Sequence, residues 1–370
     1  MCYLYSSSMK YCFYIVLLCL VPGCQSSQPK ANVLDNYQET SVAMRSGRFV
    51  DAKRLLDQVI PIIGGIISGT SDAKRSRSLF AAESSKTFIG EPYERVMAYY
   101  YRGVLYWMDG EYDNARACFK TGLFIDSDAS TRQFSADYAL LEYLDGLATQ
   151  ILGGDGSLNL KRSREVARLC YPPDYVVDFN VALFVDYGNG PTKYATGKYA
   201  EQLRFRSGVS DSDCAVLEMD GREVSLDPFD DVNFQASTRG GREMDYILDR
   251  KAHYKSETGE MADKLNRGET VTFNKSLFHN MFQFKATLTG NGFGEPIKSV
   301  SEHMKPAADV RCWNNLPQYL SFTTLKLNPG EHKVTVKFKS KKSGSYTGSE
   351  KGLVVNVREG LRSAYFISDK

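Results

Sequence analysis

The sequence of 370 residues lacks the short motifs that accompany the common kinds of enzyme catalysis. It has no G-x-S-x-G nucleophile motif, no H-E-x-x-H zinc motif and no G-x-x-x-x-G-K-S/T phosphate loop. Its four histidines are isolated from one another along the chain, so they form no local cluster for a metal ion or for proton transfer. These absences predict a non-enzymatic protein with no catalytic residues, no cofactor and no metal ion.

An excess of charge of one sign and closely spaced cysteines are also missing. The 46 basic and 44 acidic residues nearly cancel, so the composition predicts no binding to nucleic acid. None of the eight cysteines belongs to a C-x-x-C pair, which argues against structural zinc. The cysteines beyond the N-terminal region are scattered, and the sequence leaves their disulfide pairing open: Cys118, Cys170, Cys214 and Cys312.

The apolar run near the N-terminus is short. Tyr11 to Val21 is too short to cross a bilayer comfortably as a mature helix, and Lys10 places a basic residue before it. The next residues, Val21-Pro22-Gly23-Cys24, resemble the lipobox of bacterial lipoproteins. The resemblance implies that Cys24 is lipidated and becomes the mature N-terminus.

This resemblance divides the start of the chain into a signal peptide over residues 1–23 and a polar tether over residues 24–31. Gln25 stands where enterobacterial lipoproteins that stay at the inner membrane carry Asp. The resemblance therefore favours a lipid anchor in the outer membrane, with the protein facing the periplasm. A soluble secreted protein and a retained anchor helix are the alternatives.

Residues 99–127 have the pattern of two amphipathic helices joined by a turn at Asp109-Gly110. Small and aromatic side chains recur there three to four residues apart, which places them on one face of each helix. We expect Phe119 to be buried between the two helices. The segment resembles one tetratricopeptide (TPR) repeat, whose consensus positions fall on Tyr99, Arg102, Gly103, Tyr106, Ala115, Phe119 and Ser127.

Further helices surround this repeat. The turn at Gly47 echoes the one at Gly110, which indicates a second, degenerate unit of the same kind. Pro172-Pro173 ends the helical part. We therefore predict a TPR-like helical domain over residues 32–173. Its other helices are predicted within residues 32–63 (a pair), 130–152 and 160–169.

From Tyr175 the apolar pattern changes to a period of two, which is typical of strands. One helix, from Arg242 to Tyr254, interrupts these strands. The patterns together predict an α+β protein in which residues 174–370 form a β-rich domain with one inserted helix. Strands are predicted at residues 176–188, 215–219, 270–273, 321–325, 332–338, 353–357 and 364–367.

Two arginines stand out ahead of the inserted helix. Arg239 and Arg242 flank two glycines there, so two guanidinium groups and free backbone N–H groups converge at a helix N-terminus. This arrangement suits an anionic ligand, a carboxylate or a phosphate. The alternative, which we favour, is that the arginines pair with Asp230, Asp231 or Asp309 and attach the helix to the sheet.

A second cluster consists of Asp309, Arg311 and Trp313. These residues alternate on a predicted strand, which places them on one face. We expect Trp313 to stack on Arg311 as a structural pair. A ligand-binding surface is the alternative.

Five stretches in the two halves of the chain carry a wider resemblance: GEPYERVMAYYYRG (90–103), GNGP (188–191), DDVNFQASTRGGREMDYILDRKA (230–252), ADVRCWNNLPQYL (308–320) and LNPGEHKVTVKF (327–338). In them the mature chain resembles a family of uncharacterised bacterial envelope lipoproteins with TPR-like repeats. The resemblance implies an exported lipoprotein without known catalysis, and it names no substrate.

The function that these patterns favour is that of a lipid-anchored scaffold. We expect its helical repeats to present a concave groove to a protein or peptide partner, with tyrosines as anchors. The exposed residues predicted to contact this partner are Glu91, Tyr93, Glu94 and Tyr100.

The alternative function is that of an envelope enzyme, or of a regulatory subunit of one. It would act on an anionic cell-wall or glycan ligand through Arg239 and Arg242. If the protein is a scaffold, we expect an open cleft in the helical groove. If it is an enzyme, we expect carboxylates, histidines or arginines to gather in a pocket of the β-rich half.

Overall fold

The first half of the chain is helical in the computed structural model, as the sequence predicts. The structure describes residues 32–64, 77–127, 134–219, 221–238, 243–272, 287–289, 292–340, 343 and 346–370. Each helix of this half packs against the helix that follows it in the chain. The helices are α1 (Val33–Arg45), α2 (Phe49–Ile63), α3 (Pro92–Met108), α4 (Tyr112–Asp126), α5 (Ala139–Ile151) and α6 (Ser157–Val166).

Local chemistry sets both ends of α3. Glu91 and Glu94 form a capping box in which the backbone N–H of Glu91 donates to Oε2 of Glu94 at 2.6 Å. Pro92 occupies the first helical turn, where its missing N–H costs nothing. Gly110 has φ +78°, a conformation that suits glycine, and it turns the chain from α3 into α4.

Helices α3 and α4 approach each other closely. Phe119 is fully buried, which confirms the expectation from the sequence. A Cβ atom added at Gly103 would lie 2.4 Å from the Phe119 ring, so a side chain at position 103 would have no room. The small residue and the large ring therefore fix the distance between these two helices.

The described residues of the second half form two four-stranded sheets. The strands are β1 (Val181–Tyr187), β2 (Thr192–Thr196), β3 (Gln202–Arg206), β4 (Cys214–Met219), β5 (Arg222–Leu226), β6 (Asp230–Asp231), β7 (Thr270–Thr272), β8 (Thr287–Thr289), β9 (Tyr319–Leu325), β10 (Gly330–Lys339), β11 (Tyr346–Val357) and β12 (Ser363–Ser368). Sheet 1 has the strand order β12-β1-β9-β6, in which β1 is parallel to β12 and antiparallel to β9; sheet 2 has the order β11-β10-β4-β5 and is antiparallel. Two antiparallel pairs of short strands, β2–β3 and β7–β8, accompany them.

Sheet 1 lies between the helices and sheet 2. Along β1, Ala182 and Phe184 belong to the core shared with the helices, whereas Val181, Leu183 and Val185 belong to the core shared with sheet 2. Because side chains alternate between the faces of a strand, every residue of β1 is buried on one side or the other. The fold is therefore a layer of helices packed on a two-sheet β-sandwich.

Most of the predicted elements of this half are present, and the α+β class is confirmed. The prediction of a single inserted helix is wrong, because the described residues contain α7 (Val232–Ser237), α8 (Glu243–Asn266) and α9 (Gly294–His303). The prediction of a strand over 309–313 is also wrong, since these residues belong to no helix or strand. The structure contains each predicted strand at least in part. Those at 215–219, 321–325, 332–338, 353–357 and 364–367 are confirmed, the one at 176–188 is shortened to Val181–Tyr187, and the one at 270–273 is present as Thr270–Thr272.

The change from helices to strands lies between Val166 and Val181, around the predicted boundary at residue 173. Residues Asn32 to Lys370 nevertheless cluster as one compact unit. One hydrophobic core includes side chains of the helices together with Phe184 of β1 and Phe322 of β9. The helical and β-rich parts therefore share a core across that boundary.

Candidate functional site

Three of the four residues predicted to be exposed partner contacts lie inside the protein. Tyr93 is 1% exposed, and Glu94 and Tyr100 are 0% exposed, while Glu91 is half-buried. Their prediction as exposed contacts is wrong because α3 packs against α2, α4, α7 and β12. The face of α3 that the sequence assigned to a partner is covered by the same chain.

Glu94 forms a buried ion pair with Lys193 of β2. The Lys193 Nζ atom lies 2.5 Å from Glu94 Oε2, and the two side chains are 2% and 0% exposed. Lys193 also donates to the carbonyl of Arg311 at 2.9 Å. Burial lowers the pKa of Lys193, but the charges of Glu94 and Glu91 outweigh burial, and the pKa is raised. The ammonium group therefore stays charged at neutral pH and holds β2 against α3.

The second oxygen of Glu94 binds the loop that precedes β9. Glu94 Oε1 accepts the backbone N–H of Trp313 at 2.7 Å. The Trp313 ring is 0% exposed and stacks on Tyr37 of α1 with 4.2 Å between ring centroids. Its Nε1 donates to the Ser41 hydroxyl at 2.9 Å. Trp313 is therefore fixed between α1 and α3, and the predicted stacking of Trp313 on Arg311 is wrong.

Arg311 has partners of its own. Its guanidinium pairs with Asp309 at 2.6 Å, donates to the carbonyl of Lys86 at 2.9 Å, and lies 5.3 Å from the centroid of the Phe88 ring. The expected cation–π contact thus involves Phe88. Since Trp313 is completely buried, the alternative of a ligand surface built from Asp309, Arg311 and Trp313 is also wrong.

Helix α1 binds the rest of the same loop. Arg45 donates to the carbonyl of Asn315 at 2.5 Å, and the Asn315 amide donates to the carbonyl of Gln38 at 2.9 Å. Together with the bond from Trp313 to Glu94, these bonds attach the loop to the inner side of α1 and α3. The surface predicted to be a groove for a partner is thus filled by the chain's own loop and by sheet 1.

Asp186, near the end of β1, is a buried charged residue of this region that the sequence analysis did not single out, like Lys193. It is 1% exposed, and its Oδ1 accepts the Tyr100 hydroxyl at 3.2 Å. Burial raises the pKa of Asp186 to about 7, although hydrogen bonds from Tyr101 and Tyr100 oppose the rise. A charged residue in an otherwise apolar strand was the available signal.

A second group of buried carboxylates surrounds the start of α5. Both oxygens of Asp230 accept backbone N–H groups there, from Ala139 and Leu140, each at 2.9 Å. Burial raises the pKa of Asp230 to about 7, and burial together with the charge of Asp137 raises the pKa of Asp126 to about 8. The Asp230 carboxylate, which belongs to β6, therefore caps the N-terminus of α5 in place of a residue from the sequence just before that helix.

The arginine site lies outside the described residues, because Arg239 and Arg242 are not among them. The carboxylates predicted to pair with these arginines have partners elsewhere. Asp230 caps α5, Asp231 accepts the N–H of Asn233 at 2.8 Å at the start of α7, and Asp309 pairs with Arg311. An anion site at Arg239 and Arg242 stays a prediction.

A depression lies on the surface at α6. Tyr171, which lines it, is 74% exposed, and Leu158 of α6 is 61% exposed. The Arg164 guanidinium lies 4.6 Å from the centroid of the Tyr171 ring and donates to the carbonyl of Pro172 at 2.9 Å. The depression therefore combines exposed apolar surface with a fixed cationic and aromatic pair. Its lining consists of Ser157, Leu160, Lys161, Arg164, Glu165 and Tyr171.

In the described part of the chain, no three His, Cys, Asp or Glu side chains gather in a way that holds a metal ion. No helix there is long and apolar enough to span a membrane. Burial raises the pKa of the Cys312 thiol to about 11, which makes it a poor nucleophile. The lipidation site Cys24 lies outside the described residues.

The chain matches no protein family model, no curated protein and no solved structure. Its class therefore rests on its own architecture, an α+β protein whose helices pack on a β-sandwich.

Proposed function

We propose that the protein is a lipid-anchored, non-enzymatic scaffold of the bacterial envelope whose TPR-like helices bind a protein partner. The partner binds at the last helical hairpin, α5–α6. It does not bind in the inner groove, because Glu94, Trp313 and Tyr100 are buried there against the chain's own β-rich part. The observation that carries the proposal is the exposed apolar surface around Tyr171 and α6.

The order of the helices supports the TPR-like part of the proposal. Turns of a few residues join α1 to α2 and α3 to α4, and α5 is joined to α6 by residues 152–156. Successive helices are neighbours in space, as in a stack of repeats. Beyond α6 the chain leaves the stack and enters β1, and the described residues between Val166 and Val181 form no further helix.

The apolar side chains exposed at the α6 end of the helical stack favour a protein partner. Terminal repeats of a stack normally present a polar outer face. Here Leu158 is 61% exposed, Leu169 42% and Tyr171 74%. Clustered apolar side chains in contact with water mark interaction surfaces, and tyrosine with arginine is typical of their energetic centre. The Arg164 guanidinium lies 4.6 Å from the centroid of the Tyr171 ring and pairs with Asp174 at 2.8 Å, so this arginine is partly ordered before a partner binds.

A photo-crosslinking amino acid at position 171 tests the location of the binding surface. We expect one discrete cross-linked product when the full chain is irradiated in its native membranes. The matched control carries the same amino acid at Val209, which is 83% exposed and lies in the β-rich part. Equal products from both positions, or none from position 171, would show that the α6 surface is not the binding site.

The lipid anchor rests on the Val21-Pro22-Gly23-Cys24 pattern. We expect Cys24→Ser to move the protein from the detergent-soluble membrane fraction to the soluble periplasm, because the serine cannot receive the lipid. Fractionation followed by immunoblotting measures this change. If the variant stays in the membrane fraction, the hydrophobic segment itself is the anchor.

A further inference from the structure

The outer face of the β2–β3 pair carries two arginines and a tyrosine. In the register of the two strands, Arg206 lies opposite Thr192, and Arg204 lies opposite Tyr194. Because side chains alternate between the two faces of a strand, these four residues share one face, which we call the arginine face. All four are exposed, and the Arg206 guanidinium lies 5.3 Å from the centroid of the Tyr194 ring.

The charge of the arginine face is not neutralised by the described part of the chain. Arg204 donates to the side-chain oxygen of Gln202 at 3.0 Å, and Arg206 lies against the Tyr194 ring. Among the described residues, no Asp or Glu forms an ion pair with either guanidinium. The positive charge is therefore available to an anion from outside the chain.

The opposite face of the β2–β3 pair is fixed to α3. Lys193 of β2 forms the buried ion pair with Glu94. Phe205 of β3 packs edge-on against Tyr93, with 5.8 Å between the ring centroids. These contacts hold the two strands in place, so the arginine face is presented to solvent in one orientation.

The first turns of α1 are linked to the start of β2 by direct contacts. Gln38 of α1 donates to the carbonyl of Cys312 at 3.4 Å, and Cys312 Sγ lies 3.7 Å from the carbonyl oxygen of Pro191, the residue before β2. The predicted tether, residues 24–31, ends where α1 begins. A chain of that length spans at most about 28 Å. A lipid on Cys24 would therefore keep this part of the protein close to the membrane surface.

We propose that the arginine face docks on the anionic phosphate head groups of the membrane that holds the lipid anchor. The proposal rests on the anchor of the proposed function and adds a second contact with the same membrane. A guanidinium forms paired hydrogen bonds with phosphate oxygens, and basic side chains near anionic lipid are attracted to its surface. Tyr194 suits the boundary between water and lipid because its ring is apolar and its hydroxyl is polar. A lipid chain combined with a basic patch also anchors a protein more stably than either alone.

Flotation with lipid vesicles tests the arginine face separately from the anchor. The full chain with Cys24→Ser, which carries no lipid, is mixed with phosphatidylcholine vesicles that contain or lack anionic phosphatidylglycerol. We expect tighter binding to the anionic vesicles, by a margin that shrinks as the salt concentration rises. Adding Arg204→Gln and Arg206→Gln should weaken binding to the anionic vesicles about thirtyfold and leave binding to the neutral vesicles unchanged.

The matched control carries Lys333→Gln and Arg358→Gln instead, at two exposed positions elsewhere in the β-rich part. It loses the same amount of charge and should bind the anionic vesicles as the chain with both arginines does. Equal binding to both kinds of vesicle, or equal losses in the two double variants, would overturn the proposal.

An acidic protein segment is the other partner that two arginines could attract. Binding to a polyglutamate peptide without binding to anionic vesicles would overturn the membrane contact and favour that partner. Since the vesicle experiment uses a chain without lipid, its failure would leave the anchor standing. The anchor itself is tested by the fractionation of Cys24→Ser.

Discussion

Replacing Glu94 by alanine is expected to lower the free energy of unfolding by about 3–5 kcal/mol, the range for breaking a buried ion pair. The change leaves the Lys193 ammonium group buried without its carboxylate, and this side chain is only 2% exposed. It also removes the acceptor of the Trp313 N–H at 2.7 Å. Denaturant unfolding of the purified protein measures the loss.

Two further variants test whether the loss of stability in Glu94→Ala comes from the buried ion pair with Lys193. Glu39→Ala removes one partner of the surface pair with Arg48, whose side chains are 43% and 48% exposed, and should cost no more than about 1 kcal/mol. Glu94→Met combined with Lys193→Met removes both charges and should restore part of the stability. If Glu94→Ala costs no more than Glu39→Ala, the ion pair does not hold the helices to the β-rich part.

Stability is expected to fall as the pH rises from 5 to 8. The pKa of Asp230 is raised by burial to about 7, and that of Asp126 by burial and the charge of Asp137 to about 8. In the unfolded chain both groups ionise near pH 4. Between pH 5 and pH 7 the folded protein thus holds protons that the unfolded chain has released, and a rise in pH favours unfolding.

The size of the fall in stability follows from the difference between the folded and unfolded pKa values. If Asp230 alone titrates in this way, the free energy of unfolding falls by about 3 kcal/mol between pH 5 and pH 8. Asp230→Asn should make the pH dependence shallower, whereas Asp178→Asn, at an 84% exposed position, should leave it unchanged. A stability that rises over this range would contradict the assignment. Arg168, which pairs with Asp137 at 2.6 Å, opposes the rise in the pKa of Asp230 through its positive charge.

The helices were predictable because local patterns fix them. The capping box of Glu91 and Glu94, the glycine turn at residue 110 and the apolar spacing of 99–127 all lie within a few residues of the elements that they define. The burial of α3 was predictable from the same stretch but was missed. Its residues 96–101 are apolar or aromatic on every side, and a helix of that kind is buried all round.

Local sequence patterns could not predict the contacts of Glu94 with Trp313 and Lys193. Glu94 meets Trp313 across 219 residues of sequence and Lys193 across 99. A charged residue in a helix that carries other charges looks solvent-exposed until its distant partner is known. Asp230 is a similar case, because it caps α5 from β6 and leaves the start of α5 without a cap in its own sequence.

The core that the helices share with sheet 1 also changes what we expect of the β-rich part when it is separated from the helices. Taken alone, the change of pattern near residue 173 would predict that residues 175–370 fold without the helices. Phe184 and Phe322 lie in the same core as the helices, so removal of the helices would expose one whole face of sheet 1. We therefore now expect the isolated fragment to aggregate or to remain partly unfolded.

Hydrogen exchange as a function of guanidinium concentration tests most directly whether the helices and the β-rich part fold as one unit. Amides in the middle of α3 and in β10 lie in different layers, on opposite sides of sheet 1. If the inner side of the helices is filled by the chain's own β-rich part, both sets should exchange through the same global unfolding, with equal free energies and equal denaturant dependence. Exchange of the α3 amides at clearly lower guanidinium concentration, while the β10 amides stay protected, would contradict this account.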